Sequence, residues 1–126
     1  MRQKKYFTVV EANRLIPTLE RSISELKGFR QKLEGLGAEL TPLFQVIRHN
    51  GGHPKGPQFI QLAQKFRDTV SDIHSYGCLL KDIEQGLVDF PHIRDDREVY
   101  LCWKSGEEEI LYWHELDAGA GGMQLL

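Results

Sequence analysis

Only two cysteines, Cys78 and Cys102, occur in the 126 residues, and they do not form a CxxC pair. One pair in a chain of this size is not a disulfide scaffold, so a reducing cytoplasm is the expected setting. Long hydrophobic runs are also missing: none approaches the ~20 apolar residues needed to span a bilayer. The start, Met1-Arg2-Gln3-Lys4-Lys5, leads into a polar amphipathic stretch rather than a signal-peptide core, which gives the expectation of a soluble, untargeted protein with no membrane partner. An excess of one charge sign is lacking too. The net charge of -2 offers no global pull toward nucleic acid or an anionic surface. The distribution is less even than the total. Residues 1–34 carry eight Lys/Arg against four Glu, and residues 35–126 carry eight against fourteen acidic residues. Opposite poles favour self-association or internal pairing over binding a polyanion.

The chain does have helical order. Thr8-Val9-Val10-Glu11 matches a capping box, so a helix is expected to start there. Ala12, Leu19, Leu26, Leu33 and Leu40 then recur every seven residues, interleaved with Ile16 and Ile23, as in a helix lying along another helix. Pro17 predicts a kink or a hand-over between two shorter helices. Gly35 and Gly37 are read as the helix end. Thr41-Pro42 caps a possible short extension, and residues 48–57 form an irregular loop. A second long helix is predicted from Gln58 to Gln85 on Phe59, Phe66, Ile73 and Leu80, with Gly86 as its stop. Leu87 to His92, Glu98 to Trp103 and Glu109 to His114 then alternate as strands, with turn signals between them. Residues 117–126 have the composition of a flexible tail.

The expected fold is one α+β domain: a long antiparallel helical hairpin over residues 8–85, followed by a three-stranded antiparallel β-meander over residues 87–115. Two helices of ~28 residues extend ~42 Å, longer than the ~36 Å diameter of a compact globule of this size. A homodimer through the long helices is therefore expected.

Tyr6-Phe7-Thr8, Glu11-Ala12-Asn13, Leu15-Ile16-Pro17, Lys81-Asp82, Gly86-Leu87-Val88-Asp89-Phe90-Pro91, Val99-Tyr100-Leu101-Cys102-Trp103-Lys104, Gly106-Glu107 and Trp113-His114 together resemble the bacterial domain-of-unknown-function family DUF2203 over nearly the whole chain. The resemblance implies a small cytoplasmic bacterial protein and carries no assigned activity. The tail around Ala120, Gly122-Met123-Gln124 and Leu125 departs from the family pattern.

The leading functional reading is a non-enzymatic interaction or ligand-binding module displaying Asp82, Asp89, Trp103, His114 and Asp117. The alternative is a metal-binding protein or metal-dependent enzyme in which His114, Asp89 and Asp117 hold a divalent ion. In a strand, His114 and Glu115 point to opposite faces and cannot share an ion. Asp89 or Cys102 offers a donor from a neighbouring strand. With strands ~4.8 Å apart, however, an intervening strand puts Asp89 ~10 Å from His114, too far for a common ligand. A histidine held only by structural hydrogen bonds is the competing reading. Cys102 with His114 as base forms a second candidate pair, set against a buried inert thiol. The glycines between His49 and His53 lack the Gly-Lys-Ser/Thr ending and the preceding strand of a P-loop.

Overall fold

A computed structural model describes residues 4–40 and 56–126. Its elements are α1 (Val9–Leu40), α2 (Gly56–Ser75), β1 (Leu79–Asp82), β2 (Leu87–Arg94), β3 (Arg97–Lys104), β4 (Tyr112–Glu115), a 3-10 turn (Ala120–Gly122) and β5 (Gln124–Leu125). The fold is α+β as expected, but the sheet has five antiparallel strands in the order β1-β2-β3-β4-β5 rather than three. The expected Thr41-Pro42 extension and the His49–His53 loop lie outside the described residues.

The capping box at the start of α1 forms as the sequence requires. The Thr8 hydroxyl accepts from the Glu11 amide at 3.1 Å, and the Glu11 carboxylate accepts from the Thr8 amide at 3.0 Å. The helix then runs unbroken through Pro17, which is exposed. It also runs through Gly35 and Gly37, neither of which adopts the left-handed conformation that ends a helix. The seven-residue stripe buries Ala12, Ile16, Leu19, Ile23 and Leu26 against the sheet.

The second helix is shorter than predicted, stopping at Ser75 rather than Gln85. The left-handed residue is Gly77, at φ 100°, where an added Cβ would lie 3.0 Å from the Lys5 Cβ and 3.3 Å from the Phe7 ring. Leu80 and Ile83, which fit the heptad, instead belong to β1 and the turn after it. Their apolar spacing is ambiguous between a helix and a strand packed on the same core. The other missed strand is β5. Gln124 pairs with Trp113 and Leu125 with Tyr112, so part of the segment read as a flexible tail is an edge strand.

One face of the sheet is set by alternation. Val88 pairs with Trp103, and Phe90 pairs with Leu101, which pairs in turn with Trp113. All five are buried with the α1 stripe in one core. The Phe7 ring meets Phe90 edge-on at 5.2 Å. The Phe7 amide donates to the Pro91 carbonyl at 2.7 Å, docking the segment before α1 onto β2. Residues at the alternate positions, Asp89, Cys102, Tyr100 and His114, must therefore face away from the helices.

The turns obey local sterics. Arg94 pairs with Arg97 across a two-residue turn in which Asp95 and Asp96 have φ of 51° and 63°, the left-handed pair that a tight β-hairpin needs. Gly86 closes the β1–β2 turn at φ 67°, and its carbonyl accepts from the Ser105 amide at 3.0 Å.

Gly86→Ala is expected to destabilise the domain by about 2–3 kcal/mol. The added Cβ would lie 2.4 Å from the Ser105 Cβ, on top of the ~1–2 kcal/mol that the left-handed backbone costs an L-residue. Gly28→Ala in α1 meets no atom within 4 Å and should stabilise by about 0.5–1 kcal/mol. Urea unfolding of the two variants checks both signs; equal effects would contradict this account of the turn.

Candidate functional site

Three adjacent strands build the site on the face away from the helices. Asp89 on β2 is the register partner of Cys102 on β3, and His114 on β4 pairs with Tyr100, two residues along β3 from Cys102. All three donors are buried, with exposures of 5% for Asp89, 4% for Cys102 and 3% for His114. Their ligand atoms lie within 4.8 Å of one another.

The expected ~10 Å gap between Asp89 and His114 is not observed. The backbones stand two strands apart, but both side chains lean across β3 over the small Cys102. His114 Nε2 is 3.2 Å from each carboxylate oxygen of Asp89. Strand spacing measures the distance between backbones. It does not bound the distance between side chains on one face, which long groups on diagonal positions close.

The other ring nitrogen of His114 is also held, with Nδ1 2.8 Å from the backbone carbonyl of Glu115. A carbonyl only accepts, so Nδ1 carries the proton of that bond. Nε2 is then the nitrogen that meets Asp89, whose carboxylate also holds the Cys102 thiol. Two occupants satisfy this geometry, a proton between Nε2 and the Asp89 carboxylate, or a cation held among the three donors.

Cys102 has its thiol pushed up to about 12 from 9.0 by burial, with the charge of Asp89 and a hydrogen bond to that carboxylate adding to the shift. A divalent cation reverses this balance, because a coordinating thiol is deprotonated outright. Cys78 is pushed up to about 11 by burial in the core on the other side of the sheet. Its thiol donates to the Ile73 carbonyl at 3.3 Å.

A cavity of about 220 Å³ opens beside the cluster, lined by Lys81, Leu87, Tyr100, Leu116 and Gly119 together with the three donors. The Tyr100 ring lies 5.5 Å from the His114 ring, and the Lys81 ammonium 5.8 Å from the Tyr100 ring. Leu116 and Gly119 belong to the segment after β4, so the chain leading to β5 supplies part of the cavity wall.

The remaining residues singled out from the sequence go elsewhere. Trp103 is fully buried on the helix side, its indole N–H donating to the Glu107 carbonyl at 2.9 Å. Asp82 accepts from the Gln85 amide at 3.0 Å and organises the β1–β2 turn. Asp117 is exposed and is not part of the cluster, where Cys102 stands in the place expected for it. Glu115, opposite in parity to His114, pairs with Arg97. Sequence reading gave Lys81 and Tyr100 no role. Their signal is parity, since register puts Tyr100 on the face of Cys102, while Lys81 joins them through a strand that was read as helix.

These features define a small α+β domain whose sheet carries a buried carboxylate–thiol–imidazole cluster on the face away from its helices. The chain belongs to the DUF2203 family of uncharacterized conserved proteins, whose profile matches residues 5–126. Comparison with curated proteins and with solved structures returned no match. No helix among the described residues is long and apolar enough to cross a membrane.

In the metal-free protein both thiols should react slowly while it is folded and promptly once it is unfolded, because burial holds them protonated well above neutral pH. The stability these raised values contribute is intact below the ordinary thiol value of 9.0 and is lost as pH rises from there toward about 11 for Cys78 and about 12 for Cys102. A chromogenic disulfide reagent read with and without denaturant checks this. Fast native labelling of either cysteine would show that its burial is not maintained in solution.

Proposed function

We propose that the protein is a metal-binding module holding one divalent transition-metal ion through Asp89, Cys102 and His114. The observation that carries this reading is the orientation of His114. Its Nδ1–H is committed to the Glu115 carbonyl at 2.8 Å, the outer-shell arrangement that fixes a histidine with Nε2 as ligand. The Asp89 carboxylate meets Nε2 at 3.2 Å, and the Cys102 thiol completes a set of donors within 4.8 Å of one another.

A sulfur, nitrogen and oxygen set suits zinc or cobalt better than magnesium or calcium, which prefer all-oxygen ligands. Ligand bonds of roughly 2.0–2.3 Å in a tetrahedron put donors roughly 3.3–3.8 Å apart. The 3.2 Å separation of His114 from Asp89 is already near that edge. Three protein ligands leave a fourth position, as in metal sites that bind water or a ligand rather than purely structural ones. The adjoining cavity supplies room for it. The metal set is thus His114 and Asp89 of the sequence reading, with Cys102 in place of Asp117.

Metal-free protein is expected to take up one equivalent of Zn²⁺ or Co²⁺. The Co²⁺ form should show a thiolate charge-transfer band that is absent in Cys102→Ala. His114→Ala and Asp89→Asn should weaken binding on the order of 100-fold or more, since even outer-shell changes cost 10–100-fold. Asp117→Ala should bind as the parent does. Titration followed by elemental analysis reads all of these. Folded protein that retains no Co²⁺, or a Co²⁺ spectrum unchanged in Cys102→Ala, would reject the site.

The helices favour a second property, and we infer that the protein is a homodimer assembled through their far ends. Beyond Leu26 in α1 and before Ile73 in α2 no described residue is buried, although Leu33, Leu36, Phe59, Leu62, Phe66 and Val70 are half-buried there and Ile60 is 58% exposed. At 32 residues α1 is ~48 Å long and outruns a ~36 Å globule. At 20 residues and ~30 Å, α2 does not, so the length argument applies to α1 alone. Sedimentation equilibrium should return twice the 14.5 kDa chain mass, and Ile60→Asp should return the monomer with its fold intact. A parent protein that stays monomeric at micromolar concentration would refute the dimer.

A further inference from the structure

We infer that the fourth coordination position takes a small monocarboxylate, whose charge is balanced by Lys81 and whose short apolar body rests on Leu87, Tyr100 and Leu116. This rests on the metal reading above and names the ligand class of the same site.

Charge selects an anion. A divalent ion with one carboxylate and one thiolate is formally neutral, and the imidazole adds nothing. The remaining charged side chain on the cavity wall is Lys81. Among the described residues no carboxylate lies within ion-pair distance of it. Its ammonium is instead 5.8 Å from the Tyr100 ring, which also neighbours His114 and the Lys4 ammonium, the latter already paired with Glu98. Lys81 and the metal position thus border one cavity from different strands, and the net charge offered to a ligand is +1. A carboxylate that binds the metal through one oxygen and faces the ammonium with the other satisfies both charges. A phosphate dianion leaves a negative charge uncompensated beside Asp89.

Size and polarity narrow the class further. A volume of about 220 Å³ corresponds to on the order of seven waters at ~30 Å³ each, room for an acid of a few carbons. Leu87, Leu116 and the Tyr100 ring contribute apolar surface to the same wall. A hydrocarbon tail is better accommodated there than a second charged group.

The test uses the Co²⁺-loaded full chain, titrated with acetate, propionate and butyrate and, separately, with inorganic phosphate, while the visible d–d spectrum is followed. Each carboxylate is expected to shift the spectrum saturably. Affinity should rise on the order of fourfold per added methylene until the cavity is full. Lys81→Ala should weaken carboxylate binding about tenfold or more with Co²⁺ stoichiometry unchanged, and Lys81→Arg should restore most of it. Because Lys81 is exposed and outside the core, these variants do not threaten folding. Absence of bound Co²⁺ overturns the metal reading itself. A Co²⁺ spectrum insensitive to carboxylates, phosphate binding more tightly than butyrate, or Lys81→Ala binding butyrate as the parent does would overturn the ligand inference and leave the metal site standing.

Discussion

Among the described residues the sheet is covered by helices on one side only, and the rest of the structure follows from how its alternating residues meet that constraint. Period-two side-chain alternation sends Val88, Phe90, Leu101, Trp103 and Trp113 to α1, where an apolar stripe from Ala12 to Leu26 receives them. The alternate positions lack such a layer. An antiparallel sheet of this kind ordinarily shows polar residues to water on its second face. Here Asp89, Cys102 and His114 are as buried on that face as many core residues.

Burial of a carboxylate with an imidazole is costly unless the groups satisfy one another, since each loses several kcal/mol of hydration. The structure meets this by closing every polar atom of the cluster on a partner. His114 is held through both ring nitrogens, and no buried side-chain nitrogen or oxygen among the described residues lacks a hydrogen bond. Apolar replacement of such a pair is often neutral or stabilising, so stability alone gives no reason for these residue types. The Cys102 thiol hydrogen-bonds Asp89, but a hydroxyl would serve that carboxylate as well, and a thiol beside an imidazole and a carboxylate is a metal-ligand set. That surplus of ligand chemistry over structural need is the physical argument for a site.

Much of α1 and one turn of the sheet were legible in the sequence. The Thr8/Glu11 box, the seven-residue stripe and the Asp95-Asp96 turn each rest on local rules that tertiary contacts did not override. The end of α2 was not legible, because Leu80 and Ile83 pack on the core whichever structure carries them, and the decision fell to the backbone of Gly77 against Lys5 and Phe7. That contact joins residues about seventy apart in sequence, beyond the reach of any local pattern. The β5 strand escaped for a related reason. Two residues paired at an edge, with Leu125 70% exposed, leave no alternation to detect. For the site, His114 and Asp89 were readable as residue types with a shared side of the sheet. Strand spacing argued against their meeting because backbone separation was taken for side-chain reach, while Cys102 was set aside as a buried inert thiol rather than counted as a third donor.

The position of the cluster ties its enclosure to the least regular part of the chain. Leu116 and Gly119 border the cavity, and the segment carrying them is anchored at both ends. The Ala118 amide donates to the Glu115 carbonyl at 3.2 Å, and the Leu126 amide donates to the Leu111 carbonyl at 3.0 Å. Between these anchors the chain has few large side chains, so the wall it forms is thin and its shape is set by backbone rather than by packing. Glu115 links the two systems directly. Its carbonyl orients His114, while its side chain pairs with Arg97, whose guanidinium lies 5.7 Å from the Trp113 ring on the helix side of the sheet. The residue whose carbonyl orients His114 is thus tied to the opposite face of the sheet through a partly exposed ion pair, so β4 couples the cluster to the rim of the helix-covered face.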